Sequence, residues 1–479
     1  MYSIIILLPV VLNLFLYYYW QEHSYNPITG DEPHYLIVTD SIVSDLDLEI
    51  SNNYLKHPAV SEINSIISKP LKSIVSTEEF SERINSQKGI WEHWHTNPNG
   101  FRENGTYSIR SPALPILLSI PYAIGGVSGA EITMLILASM LPFIMFRVLY
   151  YITNKLWLSS WFSLALGIGM PLASAQRMIY PDLCVGFISL INVFLLLILH
   201  DKKNWSWFQC ITFTILTFIL PWFHMKHLVL MCFFTCAYFI CTFPNFWKKE
   251  LNPYFVQFLF ILLVAICSMY AFISYNLYAF GNWNGSWKTE AVELGNSMSF
   301  TFMHFMKFFI DQRQGIFMQN FNYSIALLGM GVFFKEKRAL FIISFLIYVG
   351  MIGIHALVGA NSFPSATVVG RASWNCFPLL VFPIAYFLKN ASAKMIFWLC
   401  AFTAIGAMYQ IYVITCILTI NGMLYLYSLL SFYPHIYPLL PSFDDEHTYL
   451  IWIPNYIFLL FMSLTILYGF RHAYCKIVK

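Results

Sequence analysis

Stretches of about twenty consecutive apolar residues recur along the whole chain, and that restricts its fold more than anything else in the sequence. Each has the length a helix needs to cross a bilayer. Spans are predicted near residues 3–20, 130–150, 157–175, 183–200, 206–222, 227–244, 255–279, 316–334, 339–359, 373–388, 395–418 and 450–470, twelve in all. Only 11% of residues are charged, against roughly a quarter in soluble domains, so most of the chain cannot face water. The 18% of Phe, Trp and Tyr suits a protein rich in membrane-interface rings. The predicted fold is an all-α polytopic membrane protein of about 12 transmembrane helices. Its first extracytoplasmic loop is long and carries interfacial helices.

Met1–Trp20 has no basic start and no small-residue cleavage site, so it is read as a first membrane helix rather than a removed signal peptide. Ser111–Val127 is also apolar but short and interrupted by Pro112, Pro115 and Pro121; it is read as an interfacial or re-entrant helix. Orientation follows from the basic turns. Arg147 and Lys155, Lys202 and Lys203, Lys248 and Lys249, Lys335, Lys337 and Arg338, then Lys389 and Lys394, alternate with weakly basic segments. Arg471, Lys476 and Lys479 follow in the tail. With Met1 inside, every one of these turns is cytoplasmic, and the location predicted is the plasma (inner) membrane. Counting Ser111–Val127 as a full span would invert the later turns and break the rule.

The ten cysteines lie mostly in or beside apolar runs and form no zinc-type pair or disulfide framework. The net charge of +3 is too small to argue for nucleic acid.

Polar residues gather where spans meet the outer face. Asp31-Glu32-Pro33-His34-Tyr35-Leu36 follows the first span by about ten residues. Partial desolvation there raises carboxylate pKa values, nearby cations lower them, and a carboxylate so placed can serve as a general base. The plainer alternative is a helix cap with Pro33 in the first turn. Arg177 and Asp182 flank Tyr180-Pro181 at the next outer boundary. His224, Lys226 and His227 stand at another, Asp311 and Arg313 at a third, and Gly370-Arg371 at a fourth. A lone boundary Arg or Lys often snorkels. Four boundaries carrying cations against the positive-inside bias point instead to a shared anionic ligand. His224 and His227 could share a helix face, but no third ligand has a recognisable spacing. No cofactor is expected, a divalent metal being the less favoured option.

The order of these motifs resembles that of the GT-C-type membrane glycosyltransferases that use lipid-linked sugars, the superfamily of protein O-mannosyltransferases and the aminoarabinose transferase of lipid A. It also resembles a bacterial branch of that superfamily with an acidic motif after the first helix. The resemblance rests on Asp31 to Leu36, on Asp40-Ser41-Ile42, Asp45-Leu46-Asp47-Leu48 and Asn52-Asn53-Tyr54, and on Tyr107 to Pro115 with Gly125-Gly126. It continues through Tyr180-Pro181-Asp182, Pro221 to His227, Asp311 to Gly315 and Gly370-Arg371, and covers about Met1 to Leu388. Arg110 stands where the pattern has His, and Ala113 where it has Gly.

The resemblance implies a polyprenyl-phosphate sugar donor and an envelope glycan, lipid or protein acceptor, with membrane lipids as surroundings. It implies Asp31 as general base, with Glu32 orienting it or replacing it. Arg371, Arg313, Lys226, Arg177 and His224 would hold the donor phosphate, and His34, Tyr35, Asp182 and Asp311 would line the substrate pocket. The corresponding division is a catalytic module over residues 1–388, including the loop 21–129, followed by helices and a tail over 389–479. A transporter or flippase for a lipid-linked or anionic solute is the main alternative, although transporters usually place polar groups mid-membrane. A surface-polysaccharide polymerase or ligase would have its long outer loop late in the chain, and a scaffold would use the acidic pair only as a cap.

Overall fold

The computed structural model describes residues 2–22, 31–56, 104–176, 178–202, 205–243, 253–285, 305–311, 315–358, 371–419 and 452–475. These are helical, apart from turns and one isolated antiparallel bridge between Glu49 and Tyr107. Among the described residues five helices are long and apolar enough to cross a membrane: Ala113–Thr153, Pro181–Lys202, the run Met225–Thr242, Pro253–Phe280 and Ala393–Ile411. Shorter apolar helices accompany them. Pro253–Phe280 is the clearest case. Its best window is only 22% buried although strongly apolar, a surface that water would penalise and a bilayer would accept.

Helix covers each predicted span, but several are not single rods. The stretch 157–175 breaks after helix Leu156–Gly167 and resumes only as Leu172–Ala175. Backbone groups released there are met by side chains: Gln410 Oε1 accepts from Met170 N–H at 2.8 Å, and Asn320 donates to the Met170 carbonyl at 3.2 Å. Such substitution of partners is what irregular backbone inside an apolar bundle requires. The stretch 316–334 is likewise divided at Asn320, and 373–388 becomes regular helix only from Val381. Helix Trp207–Phe218 begins with a capping box, in which Ser206 and Gln209 bond each other's backbone N–H.

Residues 113–153 run as two arms meeting at Gly126, whose φ of +59° is left-handed. The bend is so tight that a Cβ on Gly129 would lie 2.0 Å from the Pro121 carbonyl oxygen. Elsewhere glycines let helices touch through backbone. A Cβ on Gly331 would meet Phe470 at 2.5 Å, and one on Gly469 the Leu328 carbonyl at 2.5 Å, where helix Ile325–Glu336 crosses Trp452–Cys475. Close backbone approach of this kind is how helices associate in lipid, where burying apolar area offers little.

Basic residues of two of the predicted turns meet at one end of this bundle. Lys337 pairs with Asp201, Lys389 with Glu336 at 2.6 Å, and Lys335 donates to the Ala473 carbonyl at 2.6 Å. Helix Pro181–Lys202 carries Asp201 at this end and Asp182 at the other, separated by about 28 Å at the rise of an α-helix.

Candidate functional site

At the Asp182 end, residues from five separate parts of the sequence meet. Asp31 occupies the N-cap position of helix Glu32–Ser44, but its side chain makes no cap bond. The plain capping alternative is therefore not what the carboxylate does. Asp31 Oδ1 instead accepts from Arg110 at 2.6 Å, and Oδ2 accepts from Arg371 at 3.2 Å. Arg371 reaches on through Nε to Asp182 Oδ2 at 3.4 Å, and Lys226 Nζ holds the other Asp182 oxygen at 2.9 Å. The result is a chain of alternating charge, Arg110, Asp31, Arg371, Asp182 and Lys226. The Arg371 guanidinium also lies over the Tyr180 ring, 3.6 Å from its centroid, a favourable cation–π position.

Local packing puts Arg371 there. A Cβ on Gly186 would sit 2.0 Å from the Trp374 carbonyl oxygen, so only glycine lets the 371–376 turn lie on helix Pro181–Lys202, one turn past Asp182. Trp374 N–H bonds the Arg371 carbonyl at 3.0 Å, which fixes the arginine at the start of that turn. On the other side, Tyr35 and Leu36 pack with Ala113 and Leu114 in the main core, bringing Asp31 beside Arg110.

Glu32 is buried and accepts from the Ile179 N–H at 2.8 Å. It thus ties helix Glu32–Ser44 to the segment carrying Tyr180 and Asp182. Tyr35 is buried within electrostatic range of Arg110, Asp31, Arg371 and Asp182, and burial holds its phenol well above the usual value. His34 is also buried, close enough to Asp31 to favour its charged form. Burial pushes the Asp31 carboxyl up, but Arg110 and Arg371 outweigh it and hold it below the ordinary carboxylate value.

His224 and His227 do not share a helix face. His224 is extended, with φ of −175°, and its Nδ1 accepts from Lys226 N–H at 3.2 Å as the cap of a 3-10 turn. The rings lie 6.0 Å apart. His224 also borders a cavity of ≈ 30 Å³ beside Arg110, lined further by Tyr275, Asn276 and Gly285, with room for about two waters. Asp311 is buried and ends a helical turn, its carbonyl accepting from Gly315 N–H at 2.8 Å. Gly315 has to be glycine, since a Cβ would lie 2.5 Å from the Asp311 nitrogen. Arg177 and Arg313 lie outside the described residues.

Of the residues expected at the site, Asp31, Asp182, Lys226 and Arg371 come together, with Glu32, His34, Tyr35 and His224 around them. Arg110 was not among them. Its signal was present as one more cation on the weakly basic side of the chain. Comparison with protein-family models, with curated proteins and with solved structures finds no match to this chain.

Proposed function

We propose that this chain is a multi-pass plasma-membrane glycosyltransferase with about twelve spans, using a polyprenyl-phosphate sugar and an extracytoplasmic acceptor. The observation that carries the reading is the contact of Asp31 with Arg110 and Arg371, continued through Asp182 to Lys226. It puts an acid and cations together at the end of the bundle opposite the basic turns. Asp31 takes the proton of the acceptor hydroxyl as its oxygen attacks the anomeric carbon. The bond from that carbon to the phosphate oxygen breaks, and the phosphate leaves with one more negative charge. Arg371 and Lys226 stabilise that growing charge. A phosphate leaving group needs no proton, so one carboxylate suffices where an inverting glycosidase needs two.

A hydrocarbon tail also has a place. A cavity of ≈ 350 Å³ with almost wholly apolar walls lies between helices, bordered by Phe309, Leu327, Phe333, Phe345, Tyr348 and Leu380. Its lining runs from Phe309 and Leu380 to Phe333 and Phe341, apolar wall that a hydrocarbon chain could fill.

The test is transfer of labelled sugar by membranes at equal protein level. Asp31→Asn keeps the shape but removes the base, and turnover is expected to fall by roughly 10²–10⁴. Glu32→Gln is expected to be milder. Arg371→Ala loses a charge-assisted contact, about 1.5–3 kcal/mol, and Arg371→Lys recovers part of it because Lys lacks the planar two-pronged contact. Near-wild-type transfer by the Asp31→Asn/Glu32→Gln double variant would remove the catalytic assignment.

A further inference from the structure

A carboxylate gripped by two guanidiniums is a poor base, and this one is gripped by no other side chain among the described residues. The two carboxylates of the cluster differ sharply in access. The Asp182 side chain is 2% exposed, whereas those of Asp31, Arg110 and Arg371 are 22%, 19% and 22% exposed. An incoming anion can therefore reach Arg110, Asp31 and Arg371 directly, while Lys226, held by the buried Asp182, acts on it from behind Arg371. Arg371 is anchored independently of Asp31, by Asp182 below it and the Tyr180 ring beneath its face. Asp31 has no comparable anchor, since its carboxylate makes no cap bond to its own helix.

We propose that Arg110 and Arg371 form a two-guanidinium site for a tetrahedral oxyanion of the phosphate-ester class, and that the Asp31 carboxylate fills this site until the anion displaces it. Paired guanidiniums suit phosphate because each offers parallel N–H donors to two oxygens. Displacement exchanges one set of charge-assisted bonds for another, so the anion enters without leaving either arginine bare. It also releases Asp31 from the contacts that make it a weak base, at the moment the substrate is in place. Arg110 is thereby a phosphate-binding residue and Asp31 a built-in competitor. The proposal rests on the reading of this cluster as the donor-phosphate site, but it is separable from sugar transfer because it concerns binding alone.

The groups facing Asp31 fix the sign of its titration. Burial opposes its charged form, and Arg110, Arg371 and His34 favour it; the other two carboxylates are engaged elsewhere, Asp182 with Lys226 and Arg371 and Glu32 with the Ile179 N–H. An anion that takes both guanidiniums removes the two arginines and adds a like charge, so Asp31 gains proton affinity and binding takes up protons.

The probe is inorganic sulfate, which matches the departing phosphate monoester in shape and charge and does not titrate near neutrality. Calorimetry of the purified full chain in detergent, at about pH 5 in buffers of different ionisation enthalpy, reads affinity and proton uptake together. Wild-type protein is expected to bind sulfate with net proton uptake. Asp31→Asn is expected to bind about tenfold tighter, with the uptake abolished, because the competitor has lost its charge. Arg110→Gln is expected to bind about tenfold weaker and Arg110→Lys to recover part. Unchanged or weaker affinity in Asp31→Asn, wild-type binding without proton uptake, or no sulfate binding in either protein would overturn the proposal. Uptake that persists in Asp31→Asn would overturn the proposal as well, and should that variant fail to fold, unchanged affinity in Arg110→Gln would overturn it. Lost transfer in Asp31→Asn without tighter binding would sink this inference alone. Tighter binding with normal transfer would sink the base assignment alone.

Discussion

At the scale of the residue, Asp31 makes the fold sensitive to acid. Its carboxyl is held below the ordinary value by Arg110 and Arg371 against the opposing effect of burial. A folded-state pKa below the unfolded one contributes stability at pH values above the unfolded pKa, about 3.9, and loses it as pH falls through the folded value. The thermal midpoint of the detergent-solubilised wild type is therefore expected to drop on acidification through that window. In Asp31→Asn the same drop should be shallower; equal slopes in the two proteins would show that the pair contributes nothing to folding. The charged residues at this site were legible as span-boundary anomalies, each a polar group where snorkelling alone would not need one. Their pairing was not. Asp31 and Arg371 are 340 positions apart, and no local spacing rule reaches that far. Arg110 departs from the pattern the other motifs resemble, which hides it from a motif reading. Its contact with Asp31 accounts for a cation at that point.

Among elements, the apolar runs located the helices well because a bilayer demands an unbroken apolar length. The interruptions were less visible. Pro171, within the break after Gly167, and Pro378, within the 371–380 segment, mark both irregular regions in the sequence, yet proline also occurs inside helix Ala113–Thr153 at Pro121 and Pro142. What decides the outcome is whether neighbours supply replacement hydrogen bonds, as Gln410 and Asn320 do around Met170. Beside the cluster, the tolerance is tight at Gly186. Gly186→Val would drive a side chain into the Trp374 carbonyl and should cost about 1–3 kcal/mol through overpacking. Because the 371–376 turn would lift from helix Pro181–Lys202, sugar transfer is expected to fall further than the melting temperature suggests. A variant with both properties at wild-type level would show that the turn does not depend on this contact.

For the whole molecule, charge sorts the two ends. Lys337, Lys389 and Lys335 are engaged at one, and the Asp31 network lies at the other. Under the positive-inside rule the first is cytoplasmic. Leu46→Cys, at an exposed position near the Asp31 end, should react with a membrane-impermeant thiol reagent on intact cells, relative to the unsubstituted chain. Lys155→Cys should react only after permeabilisation. The reverse pattern would place the proposed site on the wrong side of the membrane.

The glycine-lined crossing of Ile325–Glu336 with Trp452–Cys475 has a consequence in time. A ribosome makes the first of these helices long before the second. Until the later one emerges, the Gly331 face has no backbone to lie against and is open to lipid or to the insertion machinery. Maturation of the bundle thus waits for the synthesis of Trp452–Cys475. Synthesis halted before Trp452 should leave a membrane-inserted but protease-sensitive chain, and supplying the missing helix as a separate polypeptide should restore resistance.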